Sequence, residues 1–170
     1  NAYADNISGE VNITPSINVT IPTDTVTLNL APTSSASFNS TNLSVTVGTN
    51  NPTGYTLTMS PSDATSTSLT RTGGTETIPT LATLAGGYTE QTFTANRWGY
   101  KLSSGNYLPF TNSNTVGSSN APTNGTANTV TFASKIDTTQ AAGTYELEIN
   151  FAAIANAPPA HTIADGGNMQ

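Results

Sequence analysis

Side chains able to do acid–base or nucleophilic chemistry are few in these 170 residues: one histidine, ten Asp and Glu, four Lys and Arg, and no cysteine. A serine-type triad needs an imidazole held in a cleft beside its nucleophile. The single histidine, His161, follows Pro158-Pro159 in a polar stretch that reads as a tail, and no G-x-S-x-G turn presents a serine. Glu146 and Glu148 have the spacing of a glycosidase carboxylate pair, because an i, i+2 pair on a strand shares one face at about 7 Å. They alternate with Tyr145, Leu147 and Ile149, however, which puts them on the solvent face, where acids discourage edge pairing. The expectation is a protein that is not an enzyme, with no catalytic residue and no cofactor.

Metal and covalent chemistry fare no better. Asp5, Glu10, Asp24, Asp63 and Asp165 stand alone in sequence, so a calcium site would have to be assembled from separate loops. The lack of cysteine rules out thiolate metal sites and disulfides and fits bacterial exported proteins, although cytosolic proteins can lack cysteine too. Lys135 lies upstream of Glu146 and Glu148, an arrangement that could serve an internal isopeptide bond, but Phe132 and Ile136 argue for a lysine that points outward. Six N-x-S/T sequons, at Asn6, Asn12, Asn18, Asn39, Asn42 and Asn124, are what an Asn- and Thr-rich chain produces by chance. Trp98, Tyr100 and Tyr107 could form an aromatic platform for a sugar. The alternative is Trp98 in the core with the tyrosine hydroxyls in water.

Charged residues make up 8% of the chain and the net charge is −6. Arg71, Arg97, Lys101 and Lys135 form no basic stripe, which excludes nucleic acid as a partner. No apolar run approaches the ~18 residues of a membrane span, and Asn1-Ala2-Tyr3-Ala4 is what a removed secretion signal could leave behind.

The elements that must carry these residues alternate at period two. Val11, Ile13, Ile17, Val19 and Ile21 share one side of an extended segment kinked at Pro15, and Val26, Leu28 and Leu30 repeat the pattern after a turn. Leu43, Val45 and Val47 face inward with Tyr55, Leu57 and Met59, joined by a turn at 48–54 into an expected hairpin. Residues 68–72 and 75–78 read as a second hairpin around Gly73-Gly74. Leu81 and Leu84 suit a single helical turn. Trp98, Tyr100 and Leu102 form a strand that turns at 103–106 into a short partner with Tyr107 and Leu108. Residues 111–128 are so polar that a long functional or mobile loop is expected. Val130, Phe132 and Ile136, then Tyr145, Leu147, Ile149 and Phe151, form the strands expected to be longest and most central. The pattern predicts an all-β chain, an immunoglobulin-like antiparallel β-sandwich argued from spacing alone, with a barrel as the alternative. Its parts are an N-terminal extended segment over 1–22, a sandwich domain over 23–157 and a polar tail or linker over 158–170.

Three stretches, Thr49-Asn50-Asn51-Pro52-Thr53-Gly54-Tyr55-Thr56-Leu57-Thr58, Asn96-Arg97-Trp98-Gly99-Tyr100 and Ala142-Gly143-Thr144-Tyr145, resemble in that order a family of exported cell-surface proteins abundant in reduced-genome episymbiotic bacteria. The resemblance covers most of 28–155 and rests on turn and core residues. It implies an immunoglobulin-like sandwich at the bacterial cell surface, used in surface structures or attachment, and it carries over no catalytic residue. Similar proteins often continue past a segment like Gly166-Gly167-Asn168-Met169-Gln170 into another module, so the resemblance leaves open a processed or truncated product.

The resulting expectation is a non-enzymatic structural subunit of a surface appendage or filament, a homo-oligomer or homopolymer. Its assembly face is Val11, Ile13, Ile17, Val19 and Ile21, on a segment that completes its own sheet or adds to a neighbour's. The alternative is a monomeric adhesin or carbohydrate-binding module of a larger surface protein. In that case a host-cell or glycan ligand would meet Trp98, Tyr100, Tyr107 and the loop 111–128.

Overall fold

The computed structural model describes residues 2–159; His161 and most of the expected tail lie outside them. Ten strands and no helix occur among the described residues, so none is long and apolar enough to cross a membrane. The strands are β1 (Ile17–Thr20), β2 (Ser37–Thr49), β3 (Tyr55–Pro61), β4 (Leu69–Arg71), β5 (Thr77–Ile78), β6 (Arg97–Leu102), β7 (Asn114–Ser119), β8 (Thr123–Ile136), β9 (Tyr145–Glu146) and β10 (Ile149–Ala155). They form antiparallel sheets in the orders β1-β2-β8-β6, β10-β3-β7 and β5-β4-β9.

The two larger sheets share one core. Leu43, Val45, Val47, Trp98, Tyr100, Val130 and Phe132 from the first meet Tyr55, Leu57, Met59 and Val116 from the second, with Phe110 fully buried among them. Parity explains this set, since every second residue of a strand faces one side. Buried Asn128 ties the sheets together by donating to the Val45 carbonyl (3.2 Å) and the Tyr55 hydroxyl (2.9 Å). A side chain at Gly117 would collide with that amide.

A second cluster lies behind the first sheet. Leu81, Tyr88, Phe93, Tyr107 and Ala133 pack with Phe38, and Phe93 meets Phe38 and Tyr107 edge-on at 5.3 and 5.4 Å between ring centroids. The connections around β6 fold over the sheet and bury both faces of the C-terminal half of β8. No strand or helix periodicity marks Tyr88 and Phe93 in the sequence.

The structure corrects several expectations. β2 and β3 are not a hairpin: they lie in different sheets, and the 50–54 connection carries the chain across. Alternation specifies which side of a strand is buried, not which strand lies beside it. Residues 26–30 form no strand, although Leu30 packs against the core and Asn39 donates to the Asn29 carbonyl at 3.1 Å. The second hairpin forms, with Leu69 opposite Ile78, but a four-residue loop closes it between Arg71 and Glu76. No helical turn forms at 81–84; Leu81 is buried and Leu84 exposed. The polar stretch 111–128 contains β7 and the start of β8 rather than a long loop. The expected central strand over 145–151 is broken into β9 and β10, and β10 lies at a sheet edge. The longest strands are β2 and β8, with 13 and 14 residues. Tyr145, Leu147, Ile149 and Phe151 are only half-buried.

Candidate assembly interface

The turn between β2 and β3 holds both ends of the folded region. Asn50 acts as a surrogate peptide group that prolongs the β1–β2 ladder: its Oδ1 accepts from the Ser16 amide (2.8 Å) and its Nδ2 donates to the Thr14 carbonyl (2.7 Å). Thr49 Oγ1 donates to the Ser16 carbonyl at 2.9 Å, and Asn18 Oδ1 accepts from the Gly48 amide at 3.0 Å. Asn51 reaches the other way, its Nδ2 donating to the carbonyls of Gly54 (2.6 Å) and Asn156 (3.0 Å). Asn156 Nδ2 in turn donates to the carbonyls of Thr53 (2.8 Å) and Ser119 (2.9 Å). Gly54 has φ 77°, and a side chain there would collide with the Ser119 carbonyl. The N-P-T-G run is thus a clamp made from short amide and hydroxyl side chains that satisfy backbone groups.

Beyond that clamp the N-terminal segment has no partner among the described residues. Val11 is 86% and Ile13 78% exposed, and Tyr3 and Ile7 are more so. No hydrogen bond joins residues 2–13 to a strand, the one bond there running from the Asn6 amide to Asp5. The five apolar residues expected to act together therefore divide. Val19 packs against the core opposite Val47, Ile17 and Ile21 are part-exposed at β1, and Val11 and Ile13 stand in solvent.

The aromatic face is corrected outright. Trp98, Tyr100 and Tyr107 are 3%, 5% and 6% exposed, so they offer no surface platform. Trp98 stacks 4.9 Å from Phe110, and its Nε1 donates to the Thr67 carbonyl at 3.0 Å. Tyr107 belongs to the second cluster and lies under the Lys101 ammonium, 5.1 Å from the ring centroid. Desolvation raises the Tyr100 phenol above its ordinary value, consistent with an interior position.

The charged groups gather into local supports. Arg71 meets Glu76 through two hydrogen bonds of 2.7 and 3.1 Å, and the guanidinium holds the Glu76 carboxyl down to about 2. Asp137 is also held below its ordinary value, first by the Thr139 hydroxyl and then by the Asn96 amide, which stabilises Asn96 at φ 59°. Glu146 and Glu148 are exposed. Lys135 is half-buried on β8, opposite Phe38 and Arg97. Among the described residues, Arg71–Glu76 is the one ion pair, and no three metal-ligating side chains come together.

Comparison with protein families and with curated proteins returned no matching family model and no matching protein.

Proposed function

We propose that the protein is a non-enzymatic extracellular structural subunit that assembles with copies of itself through β-strand contacts, forming a filament or appendage at a bacterial cell surface. The observation that carries this reading is the N-terminal stripe. Ile7, Val11 and Ile13 share one side of an extended segment that is almost fully exposed and makes no contact ladder within its own chain. An unpaired segment of this kind is a template for strand addition and needs no covalent chemistry to polymerise. Two antiparallel sheets around one core support the immunoglobulin-like sandwich reading, and a Thr-, Ser- and Asn-rich surface with few charges suits an exported protein. The adhesin alternative loses the aromatic platform it relied on, since those rings are interior.

Electron microscopy and sedimentation of the whole chain test the proposal. Wild-type protein is expected to form filaments or concentration-dependent oligomers. The Val11→Asp, Ile13→Asp double variant should remain monomeric with an unchanged melting temperature, because neither side chain packs on the domain. A monomeric wild type across the accessible concentration range, or a variant that assembles equally well, overturns it.

A further inference from the structure

We propose that the outer edge of β10 is the acceptor: residues 7–13 of one copy add as a further strand beside Ile149–Ala155 of the next. This rests on the strand-contact reading above and names the surface that reading requires.

The edges of the two larger sheets are treated very differently. β6 is covered, its backbone bonded to Pro79, Leu81 and Leu108. β7 is polar and meets β3 with a register irregularity between Leu57 and Thr58. β1 is four residues long and lies between Pro15 and Pro22. Each of these is a recognised way to keep an edge from pairing. β10 has none of them. Its sequence, INFAAIA, contains no charge, proline or glycine, it pairs with β3 alone, and Ile154 is 63% exposed. Ile149, Phe151 and Ala153 point toward the core yet stay half-buried, and although β1 approaches β10, no strand hydrogen-bonds its outer edge.

The N-terminal segment presents what this edge lacks. Residues 7–13 match the seven-residue length of β10, and Ile7, Val11 and Ile13 fall on one side, able to lie over Phe151 and Ala153. Glu10 falls on the opposite side and stays in water. Glu10 is the one charged side chain in residues 7–13 and Ile149–Ala155 carries none, so no like-charge pair opposes their approach. A second copy is favoured over a lipid surface because Asp5 and Glu10 are the segment's charged side chains, and both would be repelled by an anionic membrane. The segment's own domain is not the acceptor in this structure, since residues 2–13 run free from the Asn50 clamp.

The natural chain has no cysteine, so introduced thiols report unambiguously. Full-length Val11→Cys is mixed with size-tagged Ala153→Cys or Ala152→Cys under mild oxidation, with Thr115→Cys on the β7 edge as the comparison acceptor. A mixed dimer should form with the β10 thiols at least about tenfold more than with Thr115→Cys. Ala152→Lys, on the outward side of the edge, should raise the midpoint concentration of assembly by about tenfold without changing the melting temperature. Equal cross-linking at β7 and β10, together with normal assembly of Ala152→Lys, overturns the acceptor assignment. If Val11→Asp, Ile13→Asp still disperses the assemblies in that event, strand contact survives with another acceptor; if it does not, both readings fall. Vesicle binding that depends on Val11 and Ile13, measured by co-sedimentation with phosphatidylcholine vesicles, in place of cross-linking would assign the stripe to a lipid surface and overturn the proposal.

Discussion

The β6 and β10 flanks stand at opposite treatments of the same problem, a strand with one unpaired edge. Beside β6 the chain lays down a covering: the Trp98 amide donates to the Pro79 carbonyl (3.1 Å), the Leu81 amide to the Trp98 carbonyl (2.8 Å), and Tyr100 and Leu108 exchange bonds of 3.1 and 2.6 Å. Aromatic side chains then seal the face behind. Beside β10 there is no such covering, although its residues are the more apolar. The difference teaches that this sequence can satisfy an edge when it is to remain an edge. The apolar edge left without a hydrogen-bonded partner is the one the proposed strand addition would use.

The comparison breaks most visibly at paired phenylalanines. Phe110→Ala, at a fully buried ring stacked on Trp98, is expected to cost about 3–5 kcal/mol in chemical denaturation. A loss below about 1 kcal/mol would mean the covered flank is not the better packed. Gly99→Ala tests the covering itself: its Cβ would sit 2.6 Å from both the Leu108 carbonyl oxygen and Leu81 Cδ1, so a destabilisation of about 1–3 kcal/mol is expected. Faster hydrogen exchange at the Tyr100 and Leu108 amides should accompany it, and unchanged exchange would show that Leu81 relaxes without uncovering β6. Phe151→Ala, half-buried on β10, should cost the isolated chain only about 1–2 kcal/mol, and distinctly more once assembled. Equal costs in both states would leave β10 uncovered in the assembly.

The smallest effect lies in the β4–β5 hairpin, outside both flanks. Glu76 is lowered from 4.5 to about 2 by Arg71. A depressed carboxylate stabilises the fold above its unfolded value and loses that contribution as pH falls through the folded one. Protection of the Arg71 and Gly74 amides should therefore fall between about pH 4.5 and 2, and Glu76→Gln should remove the dependence. A titration midpoint near 4.5 would mean the ion pair is not formed in solution.

Inward faces were legible because they depend only on parity within a strand; Leu43, Val45, Leu57, Trp98, Val130 and Phe132 are all buried as their alternation requires. Strand partners were not, since β2 and β3 show the same alternation whether they pair directly or face each other across a core. β7 stayed hidden because its inward residues include Asn114, a buried amide that donates to the Met59 carbonyl at 3.0 Å and accepts from the Thr111 amide at 2.9 Å. Hydrogen bonding pairs that polar group inside, and hydropathy cannot anticipate it. At the candidate interface, the Val11 and Ile13 stripe could be read from spacing. The position of β10 could not, because the residues that bring it to an edge lie in other strands.

The clamp at Asn50 and Asn51 has a mechanical consequence. Because neighbouring residues grip Thr14 and Asn156, tension applied between residues 13 and 157 would enter and leave the domain at one pole. Such a load peels β1 from β2 starting at Ile17 and Thr49, and β10 from β3 starting at Ala155 and Tyr55, breaking ladder bonds in succession rather than shearing them together. Core contacts give way along with the ladder, as Val19 leaves with β1 and Ala153, Phe151 and Ile149 leave with β10. A chain pulled by its ends would thus yield at low force strand by strand, with the first resistance set by the side chains of Asn50, Asn51, Thr49 and Asn156.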